Sequence, residues 1–270
     1  MKLVTIFFCT ACAIAAALLQ SSRKTERVAD ATPANLTEMA FAMLGGFRGV
    51  LSEVVWFQAD RLEAAGEYTR LAQTAAYLTR LEPHTPEVWC YSAWNLAFNI
   101  SASMPTAEER WRWVCAGLDL LRKDALELNP ASPAICKEIA WIYLLKLCSN
   151  LDDAADFYRT AYRDAMLGAG ADNCGFAGRG VLETERLFGP QDYSQPEAAA
   201  LYYIALGLDK ADRRTREDLL REAFQALLFA TIRDRTRLPQ LEKTLATLQR
   251  EFPESDFREL DNAVRHRFQH

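Results

Sequence analysis

Apolar residues recur at every third or fourth position along most of the chain. This spacing places them on one face of an α-helix, where they can pack against neighbouring helices. Polar turns that contain proline or glycine separate the periodic stretches. The pattern therefore predicts an all-α fold. It predicts helices over residues 47–65, 67–81, 86–100, 106–128, 133–147 and 151–166, and further helices near 181–188, 196–206, 215–232, 240–252 and 257–268.

One turn occurs twice and marks the start of a helix each time. Residues 81–86 read Leu-x-Pro-x-Thr-Pro, and residues 128–133 read Leu-x-Pro-x-Ser-Pro. In both copies a hydroxyl residue precedes a proline, as at a helix N-cap followed by the first helical position. Ala93 and Ala140 follow the two prolines at the same distance, and Ala59 lies 34 residues before Ala93. A spacing of 34 residues, lengthened once to 47, indicates stacked helical hairpins.

These positions resemble the tetratricopeptide repeat family, whose signature places large, small and aromatic residues at fixed offsets. Across residues 52–166 the matching positions are Val55, Ala59, Leu62, Gly66, Tyr68 and Pro83, then Trp89, Ala93, Leu96, Ala125 and Pro130, then Ile139, Ala140, Tyr143, Ala154, Tyr158 and Ala161. Gln58 and Ser92 depart from the signature leucine, and two units carry insertions. The resemblance implies a right-handed solenoid of antiparallel helical hairpins, with the first helix of each hairpin lining a concave face.

A narrower resemblance comes from residues 45–49, Gly-Gly-Phe-Arg-Gly, and residues 110–113, Arg-Trp-Arg-Trp, together with residues 81–89 and 93–101. These segments look like a group of membrane-anchored, repeat-bearing bacterial proteins. The resemblance suggests a bacterial setting and brings no activity with it.

The N-terminus begins with an apolar run over residues 3–19. At 1.5 Å per residue, a helix of this length spans about 26 Å, slightly less than the hydrocarbon core of a bilayer. An uncleaved signal anchor, forming an N-terminal hydrophobic helix, is one interpretation. A cleaved signal peptide with the small residues 15–17 at its cleavage site is the other.

We expect a single-pass protein of the bacterial inner membrane with its body outside the cytoplasm, or a periplasmic protein if the leader is cleaved. The pattern divides the chain into a leader (1–24), a linker with a short helix (25–46), tetratricopeptide-like repeats (47–166), a glycine-rich connector (167–196) and C-terminal helical repeats (197–270).

Composition narrows the possible partners. The net charge is −5 without a long basic run, which argues against nucleic acid, because phosphate binding needs a dense positive footprint. All six tryptophans lie between Trp56 and Trp141, so the aromatic weight falls on the predicted repeats. Of seven cysteines, two lie in the apolar leader. The other five lie at scattered spacings, as expected of cysteines that pack as small hydrophobic residues. A disulfide between two of them is the alternative.

The sequence offers little support for catalysis. The three histidines, His84, His266 and His270, form no pair at helical spacing, so no helix-borne metal site is predicted. Residues 167–180 contain five glycines but lack a dinucleotide or phosphate-binding motif, which favours a flexible connector. Acidic pairs such as Glu108 and Glu109 are expected at helix starts. We therefore predict a non-enzyme without a cofactor or metal.

Binding is the better prediction, and the first helix of each predicted hairpin supplies the candidates. The residues expected to contact a partner are Trp56, Asp60, Trp94, Asn95, Phe98, Lys137 and Trp141. Trp94 and Trp141 occupy the same position in adjacent units, so their rings should be neighbours and could anchor a peptide. Alternatively, both simply pack between helices. Asn95 and Asn99 could bond a bound backbone or hold the loop that follows them.

The predicted function is a membrane-tethered protein–protein scaffold that binds a partner segment on its concave face. One alternative is capture of a small apolar or glycan ligand by the tryptophan-rich region. A second is an enzyme in which the loop at 168–180 closes over the groove, and it would require a deep cleft with converging polar groups near that loop. Full burial of Trp94 and Trp141 would remove the anchors from the scaffold hypothesis.

Overall fold

A computed structural model describes residues 48–169 and 175–268, and these ranges are helical, without a β-strand. The all-α prediction is therefore confirmed for this part of the chain. The leader at 1–24 and the linker at 25–46, including the short helix expected there, lie outside the described residues. The chain divides into two compact units, residues 1–61 and 62–270.

The described ranges contain eleven α-helices of nine or more residues. In chain order they are α1 (Arg48–Ala64), α2 (Tyr68–Leu81), α3 (Pro86–Trp94), α4 (Ala107–Asp119), α5 (Pro133–Ile142), α6 (Ala155–Ala169), α7 (Gly178–Phe188), α8 (Pro196–Leu208), α9 (Arg213–Arg233), α10 (Leu238–Glu251) and α11 (Arg258–Phe268). The first unit holds most of α1, and the second holds the remaining helices.

The repeated turn begins a helix in both copies, as predicted. Thr85 and Ser132 occupy the N-cap positions, with Pro86 and Pro133 as the first helical residues. Neither hydroxyl makes a capping hydrogen bond, so the proline and the extended N-cap backbone define these starts. After α1, Gly66 adopts a φ of +70°, a left-handed conformation that glycine takes without steric cost and that ends the helix as predicted.

The starts of α9 and α6 differ from the sequence prediction. Helix α9 begins at Arg213, because the carboxylate of Asp212 accepts a hydrogen bond from the Thr215 amide at 2.7 Å and caps the helix two residues earlier than expected. Helix α6 begins at Ala155 rather than at residue 151. The preceding turn extends further because the carboxylate of Asp152 accepts the Ala154 amide at 3.0 Å.

Three helices continue into π-helical turns, which the sequence pattern did not predict. The π segments are Asn95–Ile100 after α3, Leu120–Ala125 after α4 and Tyr143–Cys148 after α5. A π turn holds more residues than an α turn, so it rotates the side chains that follow it relative to an ideal α-helix. Such turns are frequent at functional sites.

Helix α8 lies in the middle of the second unit. Eleven of its residues are buried, and it packs against α5, α7 and α9. A helix that is buried on nearly every side must be apolar on nearly every side, which its sequence satisfies. The small residues predicted to let helices nest closely, Ala59, Ala93 and Ala140, are all fully buried.

Helices α3 and α4 approach each other closely at Gly117. A Cβ at this position would lie 2.8 Å from the Ala93 carbonyl oxygen and 3.2 Å from the Ala97 Cβ. Such separations are shorter than van der Waals contact, so only glycine fits without moving the helices.

The four cysteines in the described ranges, Cys90, Cys115, Cys136 and Cys148, are free thiols. No helix within 48–169 or 175–268 is both long and apolar enough to cross a membrane.

Candidate partner-binding surface

Three aromatic rings from two helices meet on the second unit. Trp94 ends α3, Phe98 lies in the π turn that follows, and Trp141 lies near the end of α5. The Trp94 and Phe98 rings stack with centroids 5.7 Å apart, and the Phe98 and Trp141 centroids are 6.3 Å apart at a tilt of 42°. We call these three residues the aromatic surface.

Neither tryptophan is enclosed by the fold. Trp141 is 40 % exposed, and Trp94 and Phe98 are half-buried. The condition that would have removed the anchors, full burial of both indoles, is therefore not met. The rings were expected to be direct neighbours, whereas Phe98 lies between them and contacts each one.

Lys146 supports the aromatic surface from beneath. Its ammonium lies 4.9 Å from the centroid of the Phe98 ring, a cation–π contact, although the side chain is only 7 % exposed. The same ammonium pairs with the Asp152 carboxylate at 2.8 Å and lies 3.3 Å from the Ser101 hydroxyl oxygen. A buried lysine needs such partners, because an unpaired buried charge is costly. Phe98 is thus held between a fixed cation and two indole rings.

The Asp152 carboxylate is held in its ionised form. Burial alone would raise its pKa, but hydrogen bonds from Lys146 and from the Ala154 amide outweigh burial, so the pKa is lowered. The Tyr158 hydroxyl lies 3.4 Å from the same carboxylate, and burial raises the pKa of that tyrosine. The sequence pattern gave no sign of this network, because Lys146 and Asp152 form no recognisable motif and Asp152 lies in the turn before α6.

Asn95, predicted as a partner-binding residue, lies beneath the aromatic surface. Its side chain is fully buried, and its Oδ1 accepts a hydrogen bond from Asn99 Nδ2 at 3.2 Å. Its Nδ2 has no hydrogen-bond partner among the described residues. Because Asn95 has no exposed surface, it cannot bond a partner's backbone in this conformation.

Lys137, another predicted contact, lies one turn before Trp141 on α5 and forms an ion pair with Asp218 of α9 at 2.6 Å. Both side chains are partly exposed. Two more carboxylates lie close to this pair. Burial raises the pKa of Glu138 to about 7 and that of Glu222 to about 8, although Lys137 opposes both shifts. Each has one buried oxygen without a hydrogen-bond partner among the described residues, which suits a protonated carboxyl.

The remaining predicted contacts, Trp56 and Asp60, lie on α1 within the first unit. Trp56 is half-buried and Asp60 is exposed. The aromatic surface is built entirely from residues of the second unit.

The glycine-rich segment is described only at residues 167–169 and 175–180. Gly180 has a packing role, because a Cβ there would lie 2.5 Å from the ring of Tyr202 on α8. Neither of two surface cavities in the described ranges is lined by this segment. No group of three or more potential metal-ligating side chains occurs within 48–169 and 175–268.

No family model matches the chain, and comparisons with curated proteins and with solved structures give no significant match.

Proposed function

We propose that this protein is a non-catalytic interaction scaffold whose aromatic surface binds a segment of another protein. The observation that carries the proposal is the contact of Trp94 and Trp141 with Phe98 while Trp141 stays 40 % exposed. Large aromatic residues that are held rigidly and partly exposed are typical anchors of protein interfaces. The occupant we propose is a segment that presents a bulky apolar side chain to these rings.

The rigidity of the aromatic surface supports this proposal. Phe98 is fixed from beneath by Lys146, whose own position is set by Asp152. A surface that is ordered before binding loses little conformational entropy when a partner arrives. The Lys137–Asp218 ion pair lies beside Trp141 and supplies the polar rim that interfaces usually have.

The architecture we propose is a tetratricopeptide-like solenoid, supported by the helical fold and by the repeated turn that starts both α3 and α5. We further propose that residues 3–19 tether the scaffold to a membrane, with the helical body outside the cytoplasm. The support is the length of this apolar run. Protease protection of the full chain in intact and opened cells would test the tether separately from the binding surface.

Site-specific photo-cross-linking would test the binding proposal. The full chain would carry p-benzoylphenylalanine in place of Trp141 and be expressed in the cells that naturally produce it. Leu182, which is 67 % exposed on α7, is the matched control position. We expect a discrete cross-linked partner segment at position 141 and not at position 182. Identical products at both positions, or no product at position 141, would contradict the proposal.

A further inference from the structure

A cavity of about 520 Å³ lies where α8 begins and α9 ends, and none of its lining residues belongs to the aromatic surface. Three arginines and three carboxylates line it: Arg163, Asp192, Glu197, Arg233, Asp234 and Arg237. A volume in the range of about 300–1,000 Å³ is typical of small-molecule sites. The cavity is therefore large enough for an organic molecule and much larger than a single inorganic ion requires.

The three carboxylates are already satisfied by neighbouring groups. Glu197 is almost completely buried, and its Oε2 accepts a hydrogen bond from Arg233 at 2.7 Å. Asp234 accepts hydrogen bonds from the Thr236 amide at 3.0 Å and hydroxyl at 2.7 Å. Asp192 accepts the Ser194 amide at 3.0 Å.

Asp192 is also ionised. Burial favours its neutral form, but hydrogen bonds from Ser194 and Gln195 and the nearby charge of Arg233 outweigh burial and lower its pKa. All three carboxylates thus have local partners, so a ligand is not needed to satisfy them.

The guanidinium groups retain most of their donors. Each arginine has five N–H groups. Arg233 donates to Glu197, and Arg237 donates to the Pro190 carbonyl and lies 3.9 Å from Asp234. Arg163, on α6, has no hydrogen bond or ion pair within the described residues. Donors therefore exceed free acceptors in this cavity.

The helix dipole of α8 adds a partial positive charge at the cavity, although Pro196 has no N–H and the Gln195 and Ala198 amides donate to Asp192 and Gln195 carbonyl oxygens. Gln195, the N-cap of α8, and Glu197 and Ala198 of its first turn line the cavity. The N-terminal end of a helix carries a partial positive charge and favours anions. The unused guanidinium donors, with this partial charge beside them, make the cavity complementary to an acceptor-rich ligand.

We propose that this cavity binds a small organic anion with at least two carboxylate or phosphate groups. Guanidinium groups bind both kinds of oxyanion through paired hydrogen bonds, so the shared chemistry is the planar or tetrahedral oxyanion. Arg163, whose guanidinium has no partner among residues 48–169 and 175–268, supplies donors, and Arg233 and Arg237 supply further ones. This site is independent of the proposed scaffold function, because it uses α6, α8 and α9 rather than the aromatic surface.

Isothermal titration calorimetry on the full chain in nonionic detergent, at constant ionic strength, would test the proposal. The probes are citrate, a sugar bisphosphate, inorganic phosphate and glycerol. We expect one-to-one binding of citrate or of the bisphosphate, weaker binding of inorganic phosphate and none of glycerol. Preference for citrate or for the bisphosphate would distinguish carboxylate from phosphate as the natural group.

Arg163→Gln is the informative variant, because this exposed side chain has no partner within the described ranges and its loss should leave the fold intact. Losing one charge-assisted contact should weaken binding about tenfold or more. Arg112→Gln, at an exposed position on α4 that is equally without a described partner, is the matched control and should bind like the unmodified chain. Equal affinity in both variants, or binding of neither organic anion at millimolar concentration, would overturn the proposal.

Discussion

The close approach of α3 and α4 at Gly117 makes a specific prediction about stability. In Gly117→Ala, the new methyl group would lie 2.8 Å from the Ala93 carbonyl oxygen and 3.2 Å from the Ala97 Cβ. Neither neighbour is a flexible side-chain end, so the two helices must separate. Overpacking of this kind costs about 1–3 kcal/mol. Alanine recovers up to about 1 kcal/mol of that cost through its higher helix propensity.

We therefore expect Gly117→Ala to lower the free energy of unfolding by about 1 kcal/mol. For a domain of this size, that change corresponds to about 2–4 °C in the melting temperature. The assay is thermal and urea unfolding followed by circular dichroism. Gly168→Ala is the matched control, because Gly168 is helical and a Cβ there would meet nothing within 4 Å. If Gly117→Ala is as stable as Gly168→Ala, the helices are not in close contact at this position.

Two further predictions concern charged groups near the aromatic surface. The usual pKa of a glutamate is near 4.5, and the pKa of Glu222 is raised to about 8, so the folded chain binds this proton more tightly than the unfolded chain. The free energy of unfolding should therefore fall as the pH rises from about 4.5 to about 8, by on the order of 4 kcal/mol for Glu222 alone. Urea titrations at several pH values should show a weaker pH dependence for Glu222→Gln. Lys146→Met should cost about 1–3 kcal/mol, because Asp152 loses its closest cation and keeps the Ala154 amide and Arg110, which is 3.9 Å away. The same unfolding assay would measure the loss. Unchanged stability in Lys146→Met would show that Asp152 does not depend on this ammonium.

Sequence periodicity predicted the helices well because most of them bury one regular face. The starts of α3 and α5 were predicted from a hydroxyl residue followed by proline. The equivalent positions of Trp94 and Trp141 predicted neighbouring rings, whereas each ring contacts Phe98, which lies between them. Periodicity assumes a constant 3.6 residues per turn, so it could not place residues within π turns. Asn95 was missed for a different reason: it lies on the same helical face as the buried Val88 and Ser92, but its polar side chain favoured an exposed position.

The arginine-lined cavity shows a second limit of sequence reasoning. Arg163 and Arg233 are separated by 70 positions in the sequence and come together only because α6, α8 and α9 meet in space. No local motif marks these residues. The buried position of Lys146 was missed for a related reason, since its partner Asp152 lies in a loop whose course no periodic pattern specifies.

The affinity of the cross-linked partner segment for two single-site variants tests the central claim most directly. In a titration with the isolated segment, Trp141→Ala should bind at least about 30-fold more weakly than the unmodified chain, as expected when an interface anchor contributes 2 kcal/mol or more. Leu182→Ala, which removes an even more exposed apolar side chain from α7, should bind with unchanged affinity. Equal affinity for both variants would show that the aromatic surface does not hold the partner.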